Sequence, residues 1–232
     1  MLESGAETYR VEDTMVRIAA SYGVMDAESY VTPTGIIFTI DGDDPTKTKV
    51  IRIVKRTTDL NKIARVNHIS REISSGKWTV VEAYELLQSV EKTNLTYSVP
   101  VQVFASALVS ACFLIMFQGV WNDFIPAFIA GGIGYYCFLI IDRFVHVRFF
   151  SEFLAAFIIA LVASLLVKCG FGLQVDKIII GSVMPLVPGL LITNAIRDLM
   201  VGHLVSGLAK GAEALLTAFA IGSGVALILS II

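Results

Sequence analysis

Charge is scarce in this chain. Only 16% of its 232 residues are Asp, Glu, Lys or Arg, while 55% are hydrophobic; an average soluble domain is about 25% charged. That balance excludes a chain that is soluble throughout. Cysteine is scarcer still. Cys112, Cys137 and Cys169 lie far apart, in or beside apolar runs, with no C-x-x-C spacing, which argues against a disulfide framework and against a zinc site. His68, His146 and His203 are equally scattered, so neither a metal centre nor any other cofactor is expected. The net charge is −2, and no basic patch points to nucleic acid. The sequence has no G-x-x-x-x-G-K-[ST], so nothing supports ATP-driven work by this chain. It also lacks G-x-S-x-G and H-E-x-x-H, two hydrolase signatures. No signal peptide is expected either, because Glu3, Glu7, Arg10, Glu12 and Asp13 fall where its apolar core would be. The N-terminal part is therefore expected to stay on the side of synthesis.

The charge that is present is unevenly placed. Of 18 Lys and Arg, only Arg143, Arg148, Lys168, Lys177, Arg197 and Lys210 follow residue 92. The chain thus divides into a polar part, residues 1–96, and a membrane part, residues 97–232. In the polar part, Ser4-Gly5-Ala6-Glu7 reads as a capping box with Ser at N-cap and Glu at N3. Val11, Met15, Ile18 and Ala19 follow at helical spacing, and Gly23 ends the helix. Residues 30–40 and 49–54 are rich in β-branched side chains. The turn residues Asp41-Gly42-Asp43-Asp44-Pro45 between them predict a β-hairpin; their spacing falls short of a calcium loop. Residues 60–75 are amphipathic, and Gly76 follows. Thr79-Val80-Val81-Glu82 is a second capping box, opening a helix through Val90. The order α-β-β-α-α predicts a small α+β domain. Glu12, Asp13, Asn67, His68, Glu82 and Glu85 supply the raw material of an acid/base site, but no spacing unites them, and a solvated or partner-facing surface is the simpler reading.

A spanning helix needs about 20 mostly apolar residues. The membrane part offers five such stretches, at about 97–117, 121–141, 150–167, 178–196 and 212–232. The predicted fold is thus a membrane protein, a small cytoplasmic α+β domain followed by a helical bundle of about five spans. The loop at 118–123 has no lysine or arginine, whereas the N-terminal part is rich in both. The positive-inside rule then places the N terminus in the cytoplasm and, with five spans, the C terminus outside. Gly131, Gly132, Gly134 and the pair Gly207-x-x-x-Gly211 mark close helix packing. Residues 198–211, only moderately apolar, read as an interfacial or re-entrant linker, in which His203 is a candidate pH-sensing group.

The fourth stretch is the unusual one. Pro185, Pro188 and Gly189 break its middle, and Thr193, Asn194, Arg197 and Asp198 close it. Helix breakers and polar groups at membrane depth are costly unless they face protein or a water-filled cavity, and interrupted helices are where many transporters bind cargo. Pro185 removes a backbone donor, leaving carbonyls near residues 181 and 184 as potential ligands. A helix restarting after Gly189 aims its N–H groups at an anion. Thr193 and Asn194 suit an ammonium or hydroxyl. Arg197 suits either an ion pair with Asp198 or a substrate carboxylate, and Asp198 is a candidate carrier of a coupling proton. Pro185, Pro188, Gly189, Thr193, Asn194 and Arg197 are accordingly the expected substrate-binding residues.

Three stretches together resemble the N-terminal half of the threonine/serine exporter family of prokaryotic membrane proteins: residues 3–14 (ESGAETYRVEDT), residues 59–67 (DLNKIARVN), and Pro185-Leu186-Val187-Pro188-Gly189 through Arg197-Asp198, Ser206-Gly207 and Gly211-Ala212-Glu213-Ala214. The resemblance implies a cytoplasmic N-terminal domain, about five spans in the inner membrane, and proton-motive-force-driven export of small amino acids or dicarboxylates. In that family the second half is fused or is a separate membrane subunit. That half is expected to lie on another polypeptide, so a partner subunit, an oligomer, or both are expected beside a small carboxylate-bearing solute. The competing expectations are a membrane-anchored hydrolase or regulator built on Glu12, Asp13 and His68, and a passive channel.

Overall fold

The computed structural model describes residues 1–41, 45–93, 96–145, 147 and 149–231; the expected turn through Gly42, Asp43 and Asp44, and also His146 and Arg148, lie outside these. Nine α-helices and three strands are formed by the described residues, in the order α1 (Thr8–Ser21), β1 (Asp26–Thr32), β2 (Gly35–Asp41), β3 (Lys47–Arg52), α2 (Leu60–Ser74), α3 (Val80–Lys92), α4 (Val99–Met116), α5 (Phe124–Phe144), α6 (Phe150–Lys168), α7 (Val175–Val183), α8 (Gly189–Val201) and α9 (Leu204–Leu229). The chain divides into two compact units, one of residues 1–96 with 190–212, the other of residues 97–189 with 213–232.

In the first unit the strands form an antiparallel sheet in the order β1-β2-β3, with Tyr30 opposite Ile37 and Ile37 opposite Val50. The sequence suggested one strand over 30–40. It is two, because Pro33 cannot donate to a ladder and the chain turns at Pro33-Thr34, with the Thr32 hydroxyl donating to the Gly35 carbonyl at 3.2 Å. The first capping box also gives way to another start. Leu2–Ser4 form a 3-10 turn, Gly5 reverses the chain at φ 89°, and α1 begins only at Thr8. Glu7 is then the N-cap residue rather than N3, and its side chain does not cap its own helix. The second box forms as read: the Thr79 N–H donates to Glu82 Oε2 at 2.9 Å and the Glu82 N–H to Thr79 Oγ1 at 3.4 Å. Asp59 caps α2 by accepting from the Lys62 N–H at 3.0 Å. Val11, Val31, Ile53 and Ile63 make one buried apolar cluster, and Ile69, Ile73, Ala83 and Val90 make a second between α2 and α3.

The second unit is built from small residues. α4 packs on α5 and α7, and α5 on α6, over a core with Ala127, Ala130, Ala156, Ala160 and Ala163 all fully buried. A Cβ at Gly131 would stand 2.1 Å from Ser110 Oγ, and one at Gly134 the same distance from Ile159. Those glycines let helix backbones approach closely, the usual means of packing in a bilayer, where lipid removes the hydrophobic drive between helices. The fully buried Asp123 closes one end of the unit: its carboxylate accepts from the Leu173 and Gln174 N–H groups at 2.7 and 3.0 Å, capping α7 across the bundle.

Among the described residues, four helical segments are long and apolar enough to cross a membrane, Val99–Met116, Trp121–Phe144, Phe150–Lys168 and Leu204–Leu229; a fifth is added if the broken pair Val175–Leu186 and Gly189–Val201 counts as one span. The expected break is present: α7 stops at Val183, Met184–Leu186 form a 3-10 turn, Val187 is extended, and α8 restarts at Gly189. Two bounds differ from the sequence expectation: the broken pair runs from Val175 to Val201 rather than over 178–196, and the last apolar helix starts earlier. The Met184 carbonyl, expected to be free, accepts from the Val187 N–H at 3.1 Å. Residues 198–211 are helical on both sides of a single reversal at Gly202. With φ at 98°, Gly202 donates to the Leu199 carbonyl and His203 to the Asp198 carbonyl, the paired bonds of a Schellman stop. The last apolar helix therefore starts at Leu204 rather than near 212.

Candidate functional site

Within the first unit, the polar end of α8 meets the entry to α1. Gly207 sets the spacing: a Cβ there would lie 3.0 Å from the Ala195 carbonyl and closer still to Leu199, so α9 folds back tightly on α8. That hairpin brings Lys210 to Asp198. Lys210 Nζ stands 2.8 Å from Asp198 Oδ2, with the two side chains 4% and 0% exposed. Such a pair is sustained in a low-dielectric interior only if the remaining protons and lone pairs are also satisfied. Here they are. The three ammonium protons have three acceptors, Asp198 Oδ2, the Ala6 carbonyl at 3.3 Å and Thr8 Oγ1 at 3.2 Å. Asp198 in turn accepts from the Thr8 N–H at 3.1 Å and the Thr8 hydroxyl at 2.9 Å. A carboxylate from the far end of the sequence thus caps α1 where its own N-cap side chain does not, at the helix end that favours negative charge.

Around this pair, Asn194 Nδ2 donates to the Gly5 carbonyl at 2.9 Å and Arg197 Nη1 to Glu7 Oε1 at 2.6 Å. Glu7 also pairs with Arg10, Nε to Oε2 at 2.9 Å. Burial alone would raise the Glu7 carboxyl, but a backbone N–H and the two guanidinium groups outweigh it and hold the group below its ordinary value. Ser206 Oγ donates to the Val31 carbonyl at 3.2 Å, and His203 Nε2 lies 3.5 Å from Glu12 Oε2. A cavity of about 190 Å³ is lined by Tyr30, Val31, His203 and Ser206 among others, smaller than the ~300 Å³ of an ordinary ligand pocket.

Of the residues expected from sequence, Asn194, Arg197 and Asp198 are brought together on one cluster. Thr193 is exposed on the same helix. Pro185, Pro188 and Gly189 belong to the other unit, where they form the break. Arg197 and Asp198 do not pair with each other; each takes a partner of opposite charge from elsewhere. The sequence reading missed Gly5, Glu7, Thr8 and Lys210. For Lys210 a signal existed, since a lone lysine in a glycine-punctuated apolar stretch needs a buried partner. The alternative acid/base set is dispersed: Glu12 accepts from the Val31 N–H, Asp13 pairs with Arg17, and His68 lies 3.6 Å from Glu72.

Comparison with known proteins agrees with the membrane reading. Residues 1–232 match the family described as "Putative threonine/serine exporter". Two relatives carry the name "Probable succinate transporter subunit YjjP". The one from Klebsiella aerogenes is 26% identical, covering 97% of this chain and 87% of that protein; the one from Escherichia coli K12 is 27% identical, covering 100% and 90%. The "Threonine/serine exporter" of Corynebacterium glutamicum is 25% identical over 98% of this chain but only 48% of its own length. No solved structure matches. The whole-chain match shows that this multi-pass membrane protein belongs to the threonine/serine exporter family.

Proposed function

We propose that this chain is one subunit of a secondary, proton-motive-force-driven exporter of a small carboxylate-bearing solute, a small amino acid such as threonine or serine or a small dicarboxylate. The observation that carries this reading is the helix broken at Pro185–Gly189 and followed by Asn194, Arg197 and Asp198, in a chain of the exporter family. Arg197 supplies a cation for a carboxylate, Asn194 and Thr193 supply hydrogen bonds, and Pro185, Pro188 and Gly189 supply the break that precedes α8. Asp198 carries the coupling proton, since protonation removes the charge that holds Lys210 and the start of α1. Two relatives named as succinate transporter subunits support a dicarboxylate and a partner subunit. The greater length of the Corynebacterium exporter supports a second membrane half supplied by another polypeptide. The distribution of lysine and arginine supports an inner-membrane protein with residues 1–96 in the cytoplasm and residues 97–232 as the transmembrane part.

The test is efflux from vesicles loaded with threonine or succinate, with chain and partner both present. Asn194→Ala and Arg197→Ala should each abolish efflux while membrane insertion is unchanged. Unchanged efflux in both variants refutes the site. A protonophore should stop flux through the intact protein; flux that continues indicates a passive channel.

A further inference from the structure

We infer that residues Gly5–Thr8 are a tethered internal ligand of the α8–α9 hairpin, which a carboxylate-bearing solute displaces in order to bind. The inference rests on the exporter reading above. Each of the four consecutive residues hands a group to the hairpin. The Gly5 carbonyl receives Asn194, the Ala6 carbonyl receives Lys210, the Glu7 carboxylate receives Arg197, and the N–H and hydroxyl of Thr8 grip the two oxygens of Asp198. A helix cap needs only the last of these. Gly5, Ala6 and Glu7 precede α1, and the left-handed φ of Gly5 turns the chain so that all four face the hairpin.

The groups presented are those of a small solute. Glu7 offers Arg197 a carboxylate. Thr8 offers Asp198 a nitrogen donor and a hydroxyl on neighbouring carbons, as a free 2-amino-3-hydroxy acid would. The Arg197 side chain is 52% exposed, whereas Asp198 and Lys210 are buried. A solute therefore meets the guanidinium first. The displaced Glu7 keeps an ionic partner, because Arg10 already shares its carboxylate. At Arg197 the exchange swaps one carboxylate for another and loses no ion pair.

Hydrogen exchange on the full chain in lipid nanodiscs tests this, with L-threonine and succinate as separate probes. Either probe, once bound, should accelerate exchange at residues 8–10, whose first amide is held by Asp198, and leave α2 unchanged. In vesicles with the partner present, Glu7→Gln should lower the half-saturating concentration of the transported probe about tenfold, by weakening the internal competitor. A probe that is transported yet leaves exchange at residues 8–10 unchanged or slower, or an unchanged or higher half-saturating concentration in Glu7→Gln, overturns the inference and leaves the exporter intact. An intact protein that moves neither probe overturns the exporter reading and this inference with it. Where threonine is the only probe transported, its acceleration assigns the Asp198 end to an amino group; acceleration by transported succinate assigns recognition to the carboxylate on Arg197.

Discussion

Lys210 shows how much a single buried charge depends on its neighbours. With Asp198 at 0% exposure, removing Lys210 leaves an uncompensated carboxylate inside the protein, at a cost of about 3–5 kcal/mol. Lys210→Met should therefore lower the thermal midpoint of the purified chain strongly. The double variant Lys210→Met with Asp198→Leu should recover much of the loss, because replacing a buried pair by apolar side chains is often near neutral; a double variant as unstable as the single one would contradict this account. Glu7 gives a pH signature of defined sign. Its carboxyl is held below the ordinary value in the folded protein, so its contribution to stability is complete above the unfolded carboxylate value of about 4.3 and fades as pH falls through the lower folded value. Unfolding measured between pH 6 and 3 should show a loss at the acid end that is smaller in Glu7→Gln. Glu7 stood in plain view in the sequence, but as the last residue of a local capping box, with Thr8 just after it. Their partners are 190 positions away, beyond the reach of any spacing rule.

Among the elements, the legible ones are those whose ends are set locally. Thr79 and Glu82 close a capping box within four residues, and Gly23 and Gly76 follow α1 and α2 at positive φ, as read from sequence. β1 and β2 were misread as one strand because β-branched residues on both sides of Pro33 outweighed the missing donor. Glycines in the apolar helices were legible as close contacts, though not as to which helix they touch. Gly134 and Gly222 separate the two uses. A Cβ at Gly134 meets Ile159 at 2.1 Å, whereas one at Gly222 meets nothing within 4 Å. Gly134→Val should destabilise the bundle by about 1–3 kcal/mol through overpacking, and Gly222→Ala should be neutral or slightly stabilising by helix propensity. Thermal unfolding of both variants in one detergent checks the contrast. Asp123→Ala should cost about 1–3 kcal/mol by orphaning the two amides at the start of α7, with Asp123→Asn closer to the intact protein.

For the whole molecule, composition decided the class. A chain 16% charged and 55% hydrophobic, with most of its lysine and arginine before residue 93, has to place its remainder in lipid, because burial of apolar surface is additive along the chain and needs no knowledge of partners. The apolar runs and the break at Pro185–Gly189 were likewise fixed by the chain itself, since proline removes a donor wherever it stands. Co-purification of the full chain with a second membrane polypeptide, and loss of efflux when that polypeptide is deleted, is the expected outcome at this scale; full efflux by the chain alone would contradict it. What only the tertiary structure decided is the pairing of charges. Sequence periodicity says that Arg197 and Asp198 are polar residues at the end of a helix. It cannot say that Gly202 reverses the chain, that Gly207 lets α9 close on α8, or that Lys210 and Thr8 then meet on one carboxylate. Hydrogen bonds and ion pairs act over about 3 Å, and which groups come that close is set by the path of the folded chain rather than by their order along it.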